Sequence, residues 1–445
     1  MKRLFSLVAL LPFAALAVPS VGNVTLSQDA ATGAVTISYD LNDGPAIVTL
    51  DLKIGGRSLD AALLWEATGD VNRMVSGDTT HQIVWRPTTK DVLAKEVVAE
   101  VSAWAPSDPP DYLLVDLVVP GVANYYASSN ALPGGVLAEA NMTRKMLFKR
   151  VKARDTLVND WYMGSEDGET GRTKTKEAYH KVTLSQDFWM GVFPVTQSQY
   201  LSLKGGATSS RAAQNAPFNF YYERDWRLRP AEHISYNEIR HGATKDTASP
   251  DDYWPNPPNG NSWLGLLRKR VGNELAFDLP SEAQWEFACK AGTGKNQWNT
   301  GKAITQSTNC PNEPGRCQLN GGGTIATSQA GSVTASNGTA TVIWYEPSLW
   351  GFYAFHGSVA EMCLDWYADD VSTLTADPVN VDRANPSNLA TDKSVIGSVR
   401  VCRGGFWWQH SNYARSASRD STVAQNTQDS TRGFRVMAPI PAPAE

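Results

Sequence analysis

Along the first hundred residues the polar and apolar positions alternate. Val35, Ile37 and Tyr39 form one run, and Val48, Leu50, Leu52 and Ile54 form a longer one. Ile83-Val84-Trp85 and the stretch from Val97 to Trp104 supply later strands. Asn42-Asp43-Gly44, Gly55-Gly56 and Ser76-Gly77-Asp78 supply the turns between them. A period of two puts alternate side chains on one face of a strand. Short strands of this kind, broken by turns, predict a small all-β sandwich of immunoglobulin or fibronectin type over 18–104. No cysteine falls in this stretch, so no disulfide would pin its sheets.

Ala105-Pro106-Ser107-Asp108-Pro109-Pro110 then reads as a stiff linker over 105–111. The apolar run from Tyr112 to Val119 is strand-like, within a segment (112–154) read as a connection to the next domain. From 155 to 440 the pattern mixes short helices, strands and long loops. One helix is expected from Thr196 to near Gly205, and another from Ser235, where Glu238 completes a capping box. The clearest runs from Ser281 to Gly292, with Ser281 as N-cap, Gln284 at the third helical position and Glu282 at the positive end. Residues 318–341, rich in Gly, Ser, Thr and Ala, read as a long loop.

Composition sharpens this picture. The 445 residues are 42% hydrophobic and 19% charged, enough core for two domains. The 35 Gly, 25 Pro and 15 Trp argue for loops and aromatic anchors and against a helical bundle. A net charge of −5 without a Lys/Arg cluster excludes nucleic acid as a default partner. Lys2 and Arg3, the apolar run Leu4 to Ala17 and the Ala15-Leu16-Ala17 site predict a signal peptide over 1–17. That run is shorter than the roughly 20 residues a membrane span needs, and no later segment is apolar enough. The mature chain is therefore expected to be secreted, periplasmic or at the cell surface. The six histidines show no metal-binding spacing.

Seven motifs occur in order after residue 155. They are Trp161-Tyr162-Met163-Gly164-Ser165, the stretch Phe188 to Gln197, and Leu279-Pro280-Ser281-Glu282-Ala283-Gln284-Trp285-Glu286-Phe287-Ala288. They continue with Trp350 to Met362, Arg403-Gly404-Gly405-Phe406-Trp407, Arg415-Ser416-Ala417-Ser418-Arg419 and Gly433-Phe434-Arg435-Val436. Together they resemble the formylglycine-generating enzymes, or sulfatase-modifying factors. The resemblance implies an α+β fold of modified C-type-lectin type, with long loops and little regular structure.

The family's oxidases use two cysteines between R-G-G-S-W and R-S-A-x-R to hold copper, since thiolates are soft ligands for Cu(I). Here the intervening segment has none, and the two positions fall on Gln409 and Ser411. Copper is therefore not expected. Iron-dependent relatives need paired histidines on an extra helical domain, whereas the all-β region here holds only His81. Many members bind calcium beside the motif that ends this chain's Gly357-Ser358-Val359-Ala360-Glu361. The resemblance thus offers Ser358 and Glu361 as calcium ligands, against a plain hydrogen-bonded turn.

The stretch 344–408 is dense in aromatics. By period-two alternation Trp407 and Trp408 face opposite sides of a strand, so at most one is core on a given face and the other is a candidate groove residue. Gln409, His410, Ser411, Asn412 and Tyr413 offer adaptable polar groups beside them. The candidate ligand-binding set is Trp407, Trp408, Gln409, His410, Ser411, Asn412, Arg415 and Arg419. For the arginines the alternative is pairing with buried carboxylates such as Glu361 or Asp365. The loop 426–432 matches the family's last loop. Bridges are expected between Cys310 and Cys317 and between Cys363 and Cys402, with Cys289 a buried thiol. The resulting expectation is an exported family member without oxidase activity that binds a protein, peptide or glycan. The alternatives are a family oxidoreductase, of formylglycine-generating or non-haem iron type, and a structural surface protein.

Overall fold

The computed structural model describes residues 18–60, 63, 67–87, 94–155, 161–204, 225–242, 253–292, 315–317, 338–377, 399–419 and 421–443. The expected signal peptide, Cys310 and most of the expected loop 318–341 lie outside these residues. The chain divides into two compact units, 1–110 with 441–445, and 111–440.

In the first unit the alternating runs become strands. One antiparallel sheet joins β1 (Ser20–Gln28), β2 (Val35–Asn42), β7 (Thr80–Trp85) and β5 (Thr68–Gly69). The other joins β4 (Arg57–Ser58), β3 (Ala46–Ile54) and β6 (Arg73–Val75), with β8 (Val97–Trp104) also paired to β3. Val35, Ile37, Tyr39 and Leu41 on β2 are buried, while the residues between them are half-buried. They share one core with Val48, Leu50 and Leu52 of β3 and with Ile83 and Trp85 of β7. Trp85 and Tyr39 place their polar tips on carbonyls, Leu63 O at 2.7 Å and Asp70 O at 2.7 Å. That satisfies the hydrogen-bonding groups such rings carry inward.

The second unit is built on a five-stranded sheet. Its order is β10 (Ala123–Tyr126), β9 (Tyr112–Asp116), β11 (Lys145–Val151), β14 (Phe188–Gly191) and β19 (Met437–Pro439). The segment read as a connection is therefore three strands of the unit's largest sheet. The reason lies in Tyr112-Leu113-Leu114-Val115, all buried, since a strand covered on both faces is continuously apolar. β12 (Trp161–Met163) pairs β13 (His180–Val182). A four-stranded sheet orders β17 (Ser421–Ala424), β16 (Val399–Arg403), β15 (Ala360–Trp366) and β18 (Arg432–Phe434), with β18 parallel to β15.

Three α-helices are described: α1 (Gln197–Lys204), α2 (Trp263–Arg270) and α3 (Glu282–Lys290). α3 opens with the expected reciprocal box between Ser281 and Gln284. The Ser235–Glu238 box also forms, but it heads only a short π-helical turn (Asn237–His241), because Gly242 takes a left-handed conformation (φ 78°). The unanticipated α2 is capped by Ser262, whose hydroxyl accepts from Gly265 N.

Cys363 and Cys402 are separate buried thiols, which corrects the expected bridge. Cys402 lies opposite Met362 in the β15–β16 register. Cys363, one residue further on, therefore projects from the other face.

Candidate functional site

The segment Gly404 to Ala414 leaves the end of β16 and does not continue as a strand. Gly404 and Gly405 adopt φ values of 92° and 67°, which side-chain-bearing residues rarely take. A Cβ on Gly404 would stand 2.4 Å from Phe355 O, and one on Gly405 2.8 Å from Tyr413 O. The glycine pair thus bends the chain into a turn packed against two other backbones. Trp407 N donates to Ser358 O at 3.1 Å and Gln409 N to Phe406 O at 3.0 Å. A 3-10 turn over Ser411–Ala414 follows.

The two tryptophans therefore part company by turn geometry, not by strand alternation. Trp407 is 1% exposed and its indole N–H donates to Ser430 O at 3.1 Å, which ties the 426–432 loop to this turn. Trp408 is half-buried, its ring edge-on to Phe406 at 5.0 Å. Gln409, His410, Asn412 and Tyr413 are also half-buried, whereas Ser411 is enclosed. His410 Nδ1 has no hydrogen-bond partner among the described residues. Ser411 and Trp407 are thus withdrawn from the surface that the sequence offered as a ligand face.

Both arginines of the expected set are also withdrawn. Arg415 donates to both Glu177 oxygens at 2.6 and 2.9 Å, to Glu169 at 2.6 Å, to Gly171 O at 2.6 Å and to Asn412 O at 2.9 Å. Arg419 grips Glu282 at 2.6 and 3.0 Å and donates to the carbonyls of Lys176 and Asp369. Their hydrogen-bonded carboxylates are Glu177, Glu169 and Glu282, and Asp365 adds to the negative charge around Arg419. Asp365 itself accepts from Glu282 N at 2.6 Å, at the start of α3. Burial pushes the Glu282 carboxyl up, but Arg419 and Arg403 outweigh it and hold the group below the usual carboxylate range. Arg403 also bonds Glu286, one turn along α3. These buried ion pairs brace the turn from beneath.

The calcium expectation meets a different geometry. Arg435 donates to both Glu361 oxygens, at 2.8 and 3.0 Å, and the Trp285 indole N–H donates to one of them at 2.7 Å. The Ser358 hydroxyl accepts from Ala340 N at 3.2 Å. A cation held by Glu361 would have to displace a guanidinium, so Ser358 and Glu361 do not fit calcium. Gln409 and the enclosed Ser411 do not fit copper either, since neither supplies a thiolate. Among the described residues no group of three or more His, Cys, Asp or Glu is placed to hold a metal.

Two elements of the site escaped the sequence reading. Glu282 and Glu286 lie four apart on a helix otherwise buried and largely apolar, a spacing that puts both on one face. That pattern was a legible signal for arginine partners. His356 gave no such signal. It is buried and its Nδ1 lies 2.7 Å from Ala414 O. A carbonyl only accepts, so Nδ1 carries the proton and holds the end of the 3-10 turn.

Residues 159–440 match the family model described as a sulfatase-modifying factor enzyme 1-like domain. The chain belongs to the sulfatase-modifying-factor family. It is similar to the formylglycine-generating enzyme of Thermomonospora curvata, 29% identical over 163 residues, which are 36% of this chain and 48% of that one. It is also similar to the serine/threonine-protein kinase pkn1 of Chlamydia pneumoniae, 27% identical over 256 residues, 58% of this chain and 33% of the relative. The chain thus spans between a third and half of these relatives' length. Among solved structures, PvdO from Pseudomonas aeruginosa aligns with a TM-score of 0.45 at 18% identity, covering 66% of this chain and 94% of that one. No described helix is long and apolar enough to cross a membrane.

Proposed function

We propose that this is an exported member of the family that has no formylglycine-generating activity and recognises a protein, peptide or glycan. Its recognition surface is the turn bearing Trp408, Gln409, His410, Asn412 and Tyr413. The observation that carries this reading is the turn's construction. Its backbone is fixed by the glycine pair, His356 and the buried Arg415 and Arg419 pairs, while these five side chains stay partly open. A fixed backbone presenting an aromatic ring and mixed amides suits binding, because little is lost in ordering it. The same segment lacks the dithiol that copper chemistry needs. The first unit, read as an immunoglobulin or fibronectin-type sandwich, is proposed to act as a spacer or docking module.

Two measurements test this. Protein incubated with Cu(I) and a Cys-x-Pro-x-Arg peptide is expected to leave the thiol intact. Mass-spectrometric detection of the aldehyde would overturn the non-oxidase reading. Screening against peptide and glycan arrays is expected to give binding that Trp408→Ala and His410→Ala weaken. Binding unaffected by both changes would place recognition elsewhere.

A further inference from the structure

The first unit holds a histidine with three oxygen neighbours on two ring nitrogens. His81, on β7, is 9% exposed. Its Nδ1 lies 2.9 Å from Asp70 Oδ2. Its Nε2 lies 3.2 Å from Gly77 O and 3.3 Å from Thr79 Oγ1. These neighbours differ in kind. The Asp70 carboxylate and the Gly77 carbonyl can only accept, whereas the Thr79 hydroxyl can donate or accept.

The charge on the ring therefore decides which bond Nε2 makes. An imidazolium carries a proton on both nitrogens and can donate to Asp70 and to Gly77 O together. A neutral ring that keeps its Nδ1 proton on Asp70 turns a bare Nε2 lone pair toward the Gly77 carbonyl, which repels it. Thr79 Oγ1, 3.3 Å away, can donate to that lone pair. We propose that His81 is a proton-operated switch: charged, it holds the turn 76–79 through Gly77 O, and neutral, it holds it through the Thr79 hydroxyl.

The surrounding groups leave the imidazole as the moving part. Arg73 pairs with the other Asp70 oxygen at 2.6 Å. Burial pushes the Asp70 carboxyl up, but His81 and Arg73 outweigh it and keep it below its usual range. Tyr39 on β2 stacks on the His81 ring at 5.5 Å and donates to Asp70 O. Burial raises its phenol above its ordinary value, so it stays protonated. Asp78 in the same turn accepts from Gly44 N at 2.9 Å, and Asp40 accepts from Thr80 and Asn23. Both carboxylates are thus engaged by groups other than the ring. An imidazole is the side-chain type whose charge changes near neutral pH. The turn also reaches the facing loop, through Gly44 N on Asp78 and Leu41 N on Thr79 O at 3.2 Å. A change at Nε2 is therefore felt at residues 41–44.

This inference is independent of the recognition surface. Its test is hydrogen-exchange mass spectrometry on the full chain at pH 5 and pH 8, with rates normalised to intrinsic exchange. The segments read are 76–81 and 41–45. Thr79→Val keeps the shape at an exposed position and removes the hydroxyl. It is expected to loosen both segments at pH 8, by up to about tenfold for one lost hydrogen bond, and to match the parent at pH 5. His81→Gln is expected to remove the difference between the two pH values. If Thr79→Val loosens the turn equally at both pH values, or at neither, the switch is refuted whether or not the His81 variant folds.

Discussion

Arg415 and Glu177 lie 238 positions apart in sequence and meet through two hydrogen bonds of 2.6 and 2.9 Å, with neither side chain exposed. The pair fastens the segment before β13 to the turn that follows the recognition surface. Removing one member would leave the other charge buried and unmatched, which costs more than the pair itself contributes. Arg415→Met is expected to destabilise the protein by about 3–5 kcal/mol in urea unfolding. Adding Glu177→Gln should recover part of that loss. A single variant as stable as the parent would show that the contact carries no weight.

The two tryptophans of the turn should respond differently. Trp407 is enclosed and bonded to Ser430 O, and its replacement by alanine should cost about 3–5 kcal/mol. Trp408 is half-buried, so Trp408→Ala should leave thermal unfolding nearly unchanged while weakening any ligand found. Equal destabilisation of the two would mean that both rings are core.

Burial pushes the His356 imidazole down from 6.5 to about 4, against the opposing bond to Ala414. An unfolded chain takes up this proton as pH falls through 6.5, whereas the folded chain waits until about 4. Between those values the unfolded state binds more protons, so stability falls with falling pH. The contribution is fully present above 6.5 and is lost by about 4, on the order of 3 kcal/mol. His356→Gln, which can still donate to Ala414 O, should flatten this part of a stability-against-pH curve. An unchanged slope would assign the acid sensitivity to other groups.

Burial pushes the Cys289 and Cys402 thiols up to about 12 and Cys363 well above its ordinary value. Reaction needs the thiolate. None of the three should react with iodoacetamide at pH 8 in folded protein, and all three should react after denaturation without a reductant. A Cys363–Cys402 cross-linked peptide under non-reducing conditions would contradict the register that separates them.

Local patterns were legible wherever a single element determined the outcome. The alternation of Val35, Ile37 and Tyr39 marked a strand, and Ser281 with Gln284 marked the start of α3, because each signal lies within one element. The turn after β16 was misread as strand. Trp407-Trp408 looks β-like locally, and the override comes from Phe355 and Tyr413 pressing on the two glycines. The roles of Arg415 and Arg419 were open for a similar reason. An arginine in sequence carries the same charge whether it meets a ligand or a buried glutamate. Only the long-range closure that brings Glu177 and Glu282 to them decides between the two.

That closure depends on a short stretch late in the chain. β18 completes one sheet beside β15, and β19, three residues later, completes the other beside β14. Between them Arg435 neutralises Glu361, and Asp278 and Met437 exchange backbone hydrogen bonds. A growing polypeptide that lacks residues 432–439 therefore has two open sheet edges and a buried glutamate with no counter-charge. The second unit is therefore expected to close cooperatively only once its last two strands are available.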